Sequence, residues 1–138
     1  MTVRLYLRPQ HLRRLREGAE AAWPHEACGL LESDGAGRIR RVHWLRNVHA
    51  EPWHRYTIDP ETYLRLEHAA RARGHILAGV WHSHPHGDPA PSSRDVASAW
   101  PGWRYIIVGV DSGGMTALRG WWIGDDGTVA TVSLVVRG

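Results

Sequence analysis

A continuous apolar run over residues 76–81 leads directly into the polar sequence His82-Ser83-His84-Pro85. Such a run is typical of a central strand that is covered on both faces of a sheet. Side chains two positions apart in a strand point to the same face, so His82 and His84 are expected side by side. Proline cannot donate to the hydrogen-bond ladder of a sheet, so the chain is predicted to leave the sheet directly after His84.

Two imidazoles at one strand end can occupy two corners of a tetrahedral zinc site, and a carboxylate can occupy the third. Asp95 follows far enough along the chain to return to the histidines from a short helix, across a loop rich in proline and glycine. His86 and Asp88 are alternative third ligands, but Pro85 breaks the strand before His86, and we favour Asp95. Three protein ligands leave the fourth corner to water, which indicates a catalytic zinc and hence a hydrolase.

A hydrolytic zinc site also needs a base, and Glu26 lies just before a second short apolar segment, residues 27–31. Zinc lowers the pKa of its bound water to about 7, so a nearby carboxylate can take that proton and pass it to the leaving amine. The alternative is that Glu26 is simply an exposed acid ahead of a strand. Cys28 is interpreted as a small buried hydrophobe rather than as a nucleophile.

Three separate segments together resemble the motif of the JAMM (MPN+) metalloproteases. They are Glu26 ahead of Cys-Gly-Leu-Leu, the His-x-His-Pro sequence, and Ser92-x-x-Asp95 with the spacing His84-x10-Asp95. The similarity runs from about Val3 to the last predicted strand. The segments that also resemble the small, free-standing bacterial and archaeal members are 47–52, Tyr56 and 58–60.

The resemblance implies a role for each matching residue. His82, His84 and Asp95 would bind one zinc ion per chain, although these ligand types do not exclude other divalent ions. Glu26 would be the general base that hydrogen-bonds the water, and Ser92 would donate to the oxyanion of the tetrahedral intermediate. The alternative for Ser92 and Asp95 is a helix capping box, and we treat full capping and zinc binding by Asp95 as competing interpretations.

The resemblance further implies a peptidase or isopeptidase that acts after the C-terminal Gly-Gly of a ubiquitin-like or sulfur-carrier protein. Such a tail would be held extended against a sheet edge. One alternative is a RadC-like protein associated with DNA, because residues 82–92 also resemble the corresponding run of RadC-type proteins. The other is a non-catalytic MPN scaffold, although such relatives have typically lost the metal ligands that this chain retains.

The predicted fold is a single MPN (JAB)-like α/β domain over residues 1–138, with a mixed sheet, two main helices and a short helix beside the zinc site. Asp59 is a suitable N-cap for the second helix, with Pro60 in its first turn and Gly74 at its end. The predicted strands are 3–7, 28–32, 38–44, 76–81, 104–110, 117–123 and 128–136, and the helices begin at 9 and 60 and cover 92–100.

Composition limits the environment and the partners. The 138 residues are 43% hydrophobic with eight tryptophans, which is enough for one packed core. A lone cysteine suits the reducing cytoplasm, and no apolar run reaches the roughly 18 residues that span a bilayer. The formal charge of +3 is modest and the arginines are dispersed, so we expect no nucleic-acid partner. A homodimer is left open.

Overall fold

The computed structural model describes residues 4–138, so Val3, the first residue of the first predicted strand, lies outside the described residues. The described part contains three helices and seven strands. In chain order they are β1 (Arg4–Leu7), α1 (Pro9–Ala22), β2 (Cys28–Ser33), β3 (Ile39–Leu45), α2 (Pro60–Ala72), β4 (Ile76–His84), α3 (Ser93–Ser98), β5 (Arg104–Asp111), β6 (Gly114–Ile123) and β7 (Val129–Val136). Within residues 4–138, no helix is both long and apolar enough to cross a membrane.

The seven strands form one sheet in the order β1-β7-β6-β5-β4-β2-β3. The pairs β1/β7 and β4/β5 are parallel, and the other neighbouring pairs are antiparallel. The predicted mixed sheet with two main helices and a short third one is therefore confirmed. The central position of β4, between β2 and β5, places the two histidines at its end near the middle of the sheet.

Both faces of β4 are covered, as its apolar sequence predicts. On one face Trp81 packs with Leu15 and Ala19 of α1, and on the other Leu77 and Val80 pack beneath α2. A register shift opposite β2 pairs Leu31 with Gly79 but Glu32 with Leu77. The shift leaves one residue of β4 without a β2 partner, and Leu77 and Val80 therefore share a face despite their odd spacing.

Two glycines make room for Trp81, which is fully buried. A Cβ on Gly29 would lie 1.7 Å from the carbonyl oxygen of His43, and a Cβ on Gly18 would lie 2.8 Å from the Trp81 ring. The indole Nε1 of Trp81 donates to that His43 carbonyl at 2.9 Å. The indole therefore ties β4 to β3 across β2, just before the two histidines.

Most element boundaries lie within one residue of the prediction, and Asp59 caps α2 by accepting a hydrogen bond from the Thr62 backbone N–H at 3.1 Å. The exceptions are β4 and β6, each three residues longer than predicted, and α3. Helix α3 ends at Ser98 rather than at Trp100. Proline disfavours helical geometry in the residue before it, so Pro101 accounts for an end ahead of Trp100.

Candidate metal and catalytic site

The two histidines lie side by side where β4 ends. Strand β4 stops at His84, and Pro85 begins the turn that leaves the sheet. The side chains are buried, and their ring centroids are 5.0 Å apart. The alternation of a strand therefore places two imidazoles on one face, as predicted.

Glu26 reaches this pair from the segment that precedes β2. Antiparallel pairing of β2 with β4 places Cys28 opposite His82, and the residue ahead of β2 is held by Ser83, whose hydroxyl accepts from the Ala27 N–H at 2.8 Å. The Oε1 atom of Glu26 is 3.3 Å from Nδ1 of His82. Glu26 is only 6% exposed, so the interpretation of an exposed acid is wrong.

Asp95 approaches from the other side, in the first turn of α3. Its Oδ2 is 3.0 Å from Nε2 of His84, and its Oδ1 is 3.6 Å from Nε2 of His82. The two imidazole Nε2 atoms therefore converge on one carboxylate. Of the alternative third ligands, His86 is exposed and tilted against the His84 ring at 5.1 Å, and Asp88 contacts His84 through its backbone carbonyl.

The hydrogen bonds of His84 determine which nitrogen faces the site. A carbonyl can only accept, so Nδ1–H of His84 donates to the Asp88 carbonyl at 2.7 Å and Nε2 is directed at Asp95. Burial by itself lowers the pKa of His84, but the hydrogen bond and charge of Asp95 outweigh burial and raise it. A histidine ligand commonly has this arrangement, with its second nitrogen donating to a carbonyl.

The Asp95 carboxyl is ionised at neutral pH. Burial alone would raise its pKa, but the hydrogen bond from His84, the charge of His82 and the Ser92 N–H lower it to about 2. An ionised carboxylate that faces two imidazoles supplies the negative charge that a divalent cation needs.

Three buried polar atoms of the site have no hydrogen-bond partner among the described residues: Oε1 of Glu26 and both ring nitrogens of His82. Buried polar atoms normally have partners, and a neutral imidazole always keeps one acceptor nitrogen, so an unpaired His82 nitrogen beside two carboxylates fits a bound cation. Ligand atoms of Glu26, His82 and His84 lie within 4.8 Å of one another. With Asp95 beside the same nitrogens, the donor set fits a divalent metal such as zinc. Glu26 is near enough to contact either the ion or its water.

Ser92 is the N-cap of α3 and forms the capping box with Asp95. Its hydroxyl accepts from the Asp95 N–H at 3.1 Å, and its own N–H donates to Oδ2 of Asp95 at 2.8 Å. Oδ1 of Asp95 takes no part in the cap, because it faces His82. A carboxylate has enough lone pairs for both tasks, so the capping and ligand interpretations do not exclude each other.

Cys28 lies beneath the site but is not disposed as a nucleophile. Its side chain is fully buried in β2. Burial, reinforced by the charge of Glu26, raises the pKa of the thiol to about 12. The reactive form of cysteine is the thiolate, which this environment suppresses, so the interpretation as a packed residue agrees with the structure.

Tyr56 is a site residue that the motif did not include. It comes from the loop between β3 and α2 and stacks on His82 with ring centroids 4.5 Å apart and an interplanar angle of 23°. Burial raises the pKa of its phenol well above the usual range. The only signal in the sequence was that Tyr56 matches the small prokaryotic members, because nothing local links it to a histidine 26 positions later.

Comparisons with known proteins identify the family of this chain. Residues 8–124 match the family described as prokaryotic homologs of the JAB domain. The chain is 41% identical over 117 residues to a desampylase of Haloferax volcanii. This alignment covers 83% of this chain and 82% of that protein. It is 39% identical over 90 residues to a probable TtuB-protein conjugate cleaving protease of Thermus thermophilus. This alignment covers 64% of this chain and 58% of that protein.

Solved structures support the fold. A protein of Desulfitobacterium hafniense matches with a TM-score of 0.84 at 27% identity, covering 96% of this chain and 92% of that one. A JAB1/MPN domain protein of Archaeoglobus fulgidus matches with a TM-score of 0.59 at 18% identity, covering 98% and 100%. The prediction of a JAMM-type hydrolase is thus confirmed, and the chain belongs to the prokaryotic homologs of the JAB domain.

Proposed function

We propose that this chain is a zinc-dependent isopeptidase that hydrolyses the bond after the C-terminal Gly-Gly of a ubiquitin-like or sulfur-carrier protein. The observation that carries the proposal is the convergence of two buried imidazoles on Asp95, beside buried atoms of His82 and Glu26 that make no hydrogen bond within residues 4–138. The names of two relatives, a desampylase and a TtuB-conjugate protease, support a protein conjugate as the substrate.

Each proposed role follows from a position in the site. His82, His84 and Asp95 would hold the zinc, because both Nε2 atoms face the Asp95 carboxylate. When bound, zinc supplies a Lewis acid for the scissile carbonyl and a water of lowered pKa. Glu26, whose carboxylate lies within 4.8 Å of ligand nitrogens of both histidines, would take the proton of the attacking water and deliver it to the leaving amine.

Ser92 would stabilise the developing oxyanion. Its hydroxyl oxygen already accepts from the Asp95 N–H, which orients the group. A hydroxyl that accepts one hydrogen bond still has its own proton to donate, so capping and oxyanion stabilisation are compatible.

The burial of the site favours a slender substrate. His82 is 0% exposed and His84 3%, so a scissile carbonyl must approach closely between the surrounding loops. Glycine lacks a Cβ and permits such a close approach of backbone. A Gly-Gly tail is therefore well suited to this site, whereas side chains on the last two residues before the scissile bond would obstruct it.

The test is metal content and hydrolysis measured on the same samples, for wild type and for Asp95→Ala. We expect about one zinc per wild-type chain, release of the leaving group from Gly-Gly-linked conjugates, and loss of both in the variant. A wild-type protein that binds no metal after chelator-free purification would contradict the proposal and favour the MPN scaffold. Cleavage of unrelated peptides but of no Gly-Gly conjugate would overturn the substrate assignment alone.

A further inference from the structure

The side chain of Asn47 makes four hydrogen bonds and uses its full donor and acceptor capacity on backbone groups. Its Nδ2 donates to the Glu26 carbonyl at 3.0 Å and to the Arg55 carbonyl at 2.9 Å. Its Oδ1 accepts from the backbone N–H of His49 and of Thr57, each at 3.1 Å. With two carbonyls on one side and two N–H groups on the other, the amide can adopt only this orientation.

These four bonds join two segments that flank His82. One segment carries Glu26, whose carboxylate is 3.3 Å from Nδ1 of His82. The other carries Tyr56, whose ring stacks on the His82 imidazole, and Asn47 binds the backbone on both sides of Tyr56, at Arg55 and Thr57. The chain contains no other asparagine, so this amide is unique in the sequence.

We propose that Asn47 is a positioning residue that sets the distance between the base Glu26 and the metal ligand His82. This inference rests on the proposed function, because it takes Glu26 as the base and His82 as a ligand. The Asn47 side chain itself contacts neither carboxylate nor imidazole; it acts through the backbone of Glu26 and through the Tyr56 stack.

Two hydrogen bonds hold the backbone of Glu26, one from its N–H to Pro52 and one to its carbonyl from Asn47. The backbone N–H of Glu26 donates to the Pro52 carbonyl at 2.7 Å, so one bond of this segment survives when Asn47 is removed. Without the amide, the Glu26 carbonyl and the Tyr56 backbone lose their common anchor. A shift of about 1 Å in a reacting group can cost about 100-fold in rate, and a lost outer-shell contact can weaken a metal site by about 10- to 100-fold.

The experiment compares Asn47→Ala with Asp59→Ala in the zinc-loaded protein. Asp59 caps α2 at the end of the same loop, and among the described residues its side chain hydrogen-bonds only to Thr62, so its loss should destabilise the region without removing a hydrogen bond of the site. For Asn47→Ala we expect kcat to fall about 100-fold with KM within about threefold, and zinc affinity, measured against a chelating dye, to fall about tenfold. For Asp59→Ala we expect a comparable fall in Tm, with kcat and zinc affinity close to wild type.

If Asn47→Ala does not fold, Asn47→Ser replaces it. A serine hydroxyl can still accept from the His49 N–H two residues on, but it lacks the amide N–H groups that donate to the Glu26 and Arg55 carbonyls. Equal effects of the Asn47 and Asp59 variants on kcat and on zinc affinity would overturn the positioning role. A wild type that binds zinc but ignores every Gly-Gly conjugate would contradict the proposed function, and the zinc affinities would still decide the role of Asn47.

Discussion

Strands β2 and β4 carry a buried carboxylate–histidine cluster at each end, and the two clusters differ in how their polar atoms are satisfied. At one end lie Glu26, His82 and His84, with three buried atoms that make no hydrogen bond to any residue the structure describes. At the other end Glu32 of β2 is surrounded by His43 and by two residues just ahead of β4. The same strand pairing therefore supports two chemically opposite sites.

The Glu32 cluster is saturated with hydrogen bonds. Its oxygens accept from His43 at 2.9 Å, from His75 at 2.6 Å, and from both Nη2 and Nε of Arg73 at 2.8 and 3.0 Å. Among the residues described, no arginine lies within salt-bridge distance of Glu26 or Asp95. A permanent guanidinium charge neutralises one cluster, whereas the other retains its electron pairs for a metal.

The comparison separates two uses of a buried carboxylate. Burial alone would raise the pKa of Glu32, but the hydrogen bonds from Arg73, His75 and His43 outweigh it and lower the pKa to about 2. Such a group contributes to stability. The atoms left without partners at Glu26 and His82 reduce stability in the metal-free protein, which is common where structure is adapted for chemistry.

The largest expected effect is on activity, when the Glu26 carboxylate is replaced by an amide. Glu26→Gln removes the base, so hydrolysis of a Gly-Gly conjugate should fall by about 1,000-fold or more while about one zinc per chain remains. Glu32→Gln is the matched control, because it makes the same change far from the reacting atoms. Steady-state kinetics and metal analysis check both variants. A fully active Glu26→Gln protein would remove Glu26 from the mechanism.

For stability we expect the opposite order: substitution of Glu32 should cost more than substitution of Glu26. Glu32→Ala leaves Arg73 and two histidines without their common acceptor, and removing one partner of a buried ion pair costs about 3–5 kcal/mol. Glu26→Ala in the chelator-treated protein should change the unfolding free energy by less than about 1 kcal/mol, because within residues 4–138 its Oε1 makes no hydrogen bond that the variant would lose. Urea unfolding of both metal-free variants measures the difference. Similar losses would mean that the two clusters are equally structural.

A smaller effect on the free energy of unfolding is expected when the pH is lowered. Glu32 has a folded-state pKa of about 2 against an ordinary value of 4.5, so its stabilisation is present above pH 4.5 and is lost as the pH falls towards 2. The shift corresponds to about 3 kcal/mol. The gap in unfolding free energy between wild type and Glu32→Gln should therefore narrow progressively as the pH falls from 4.5 towards 2. A gap that is independent of pH would show that ionisation of Glu32 does not stabilise the fold.

Sequence patterns correctly predicted the features that depend on interactions between neighbouring residues. The strand alternation at His82 and His84, the stop at Pro85 and the Asp59 cap all depend on neighbours in sequence, and all three appear in the structure. Pro101 also carried the local signal that α3 ends before Trp100, and the prediction overlooked it. No local pattern links Glu26 or Asp95 to the histidines: the strand break at Pro85 favours Asp95 over His86, and the resemblance assigns Glu26 its role as base.

The sequence by itself determined which residues are able to bind a metal or transfer a proton, and which strand end presents two of them. Only the tertiary structure decided their distances, because the pairing of β2 with β4 brings Glu26 to His82 and the turn after Pro85 brings Asp95 to both imidazoles. The roles of Asn47 and Tyr56 and the arginine beside Glu32 depend on contacts between segments far apart in the chain. Such contacts follow from packing of the whole core, which no short motif encodes.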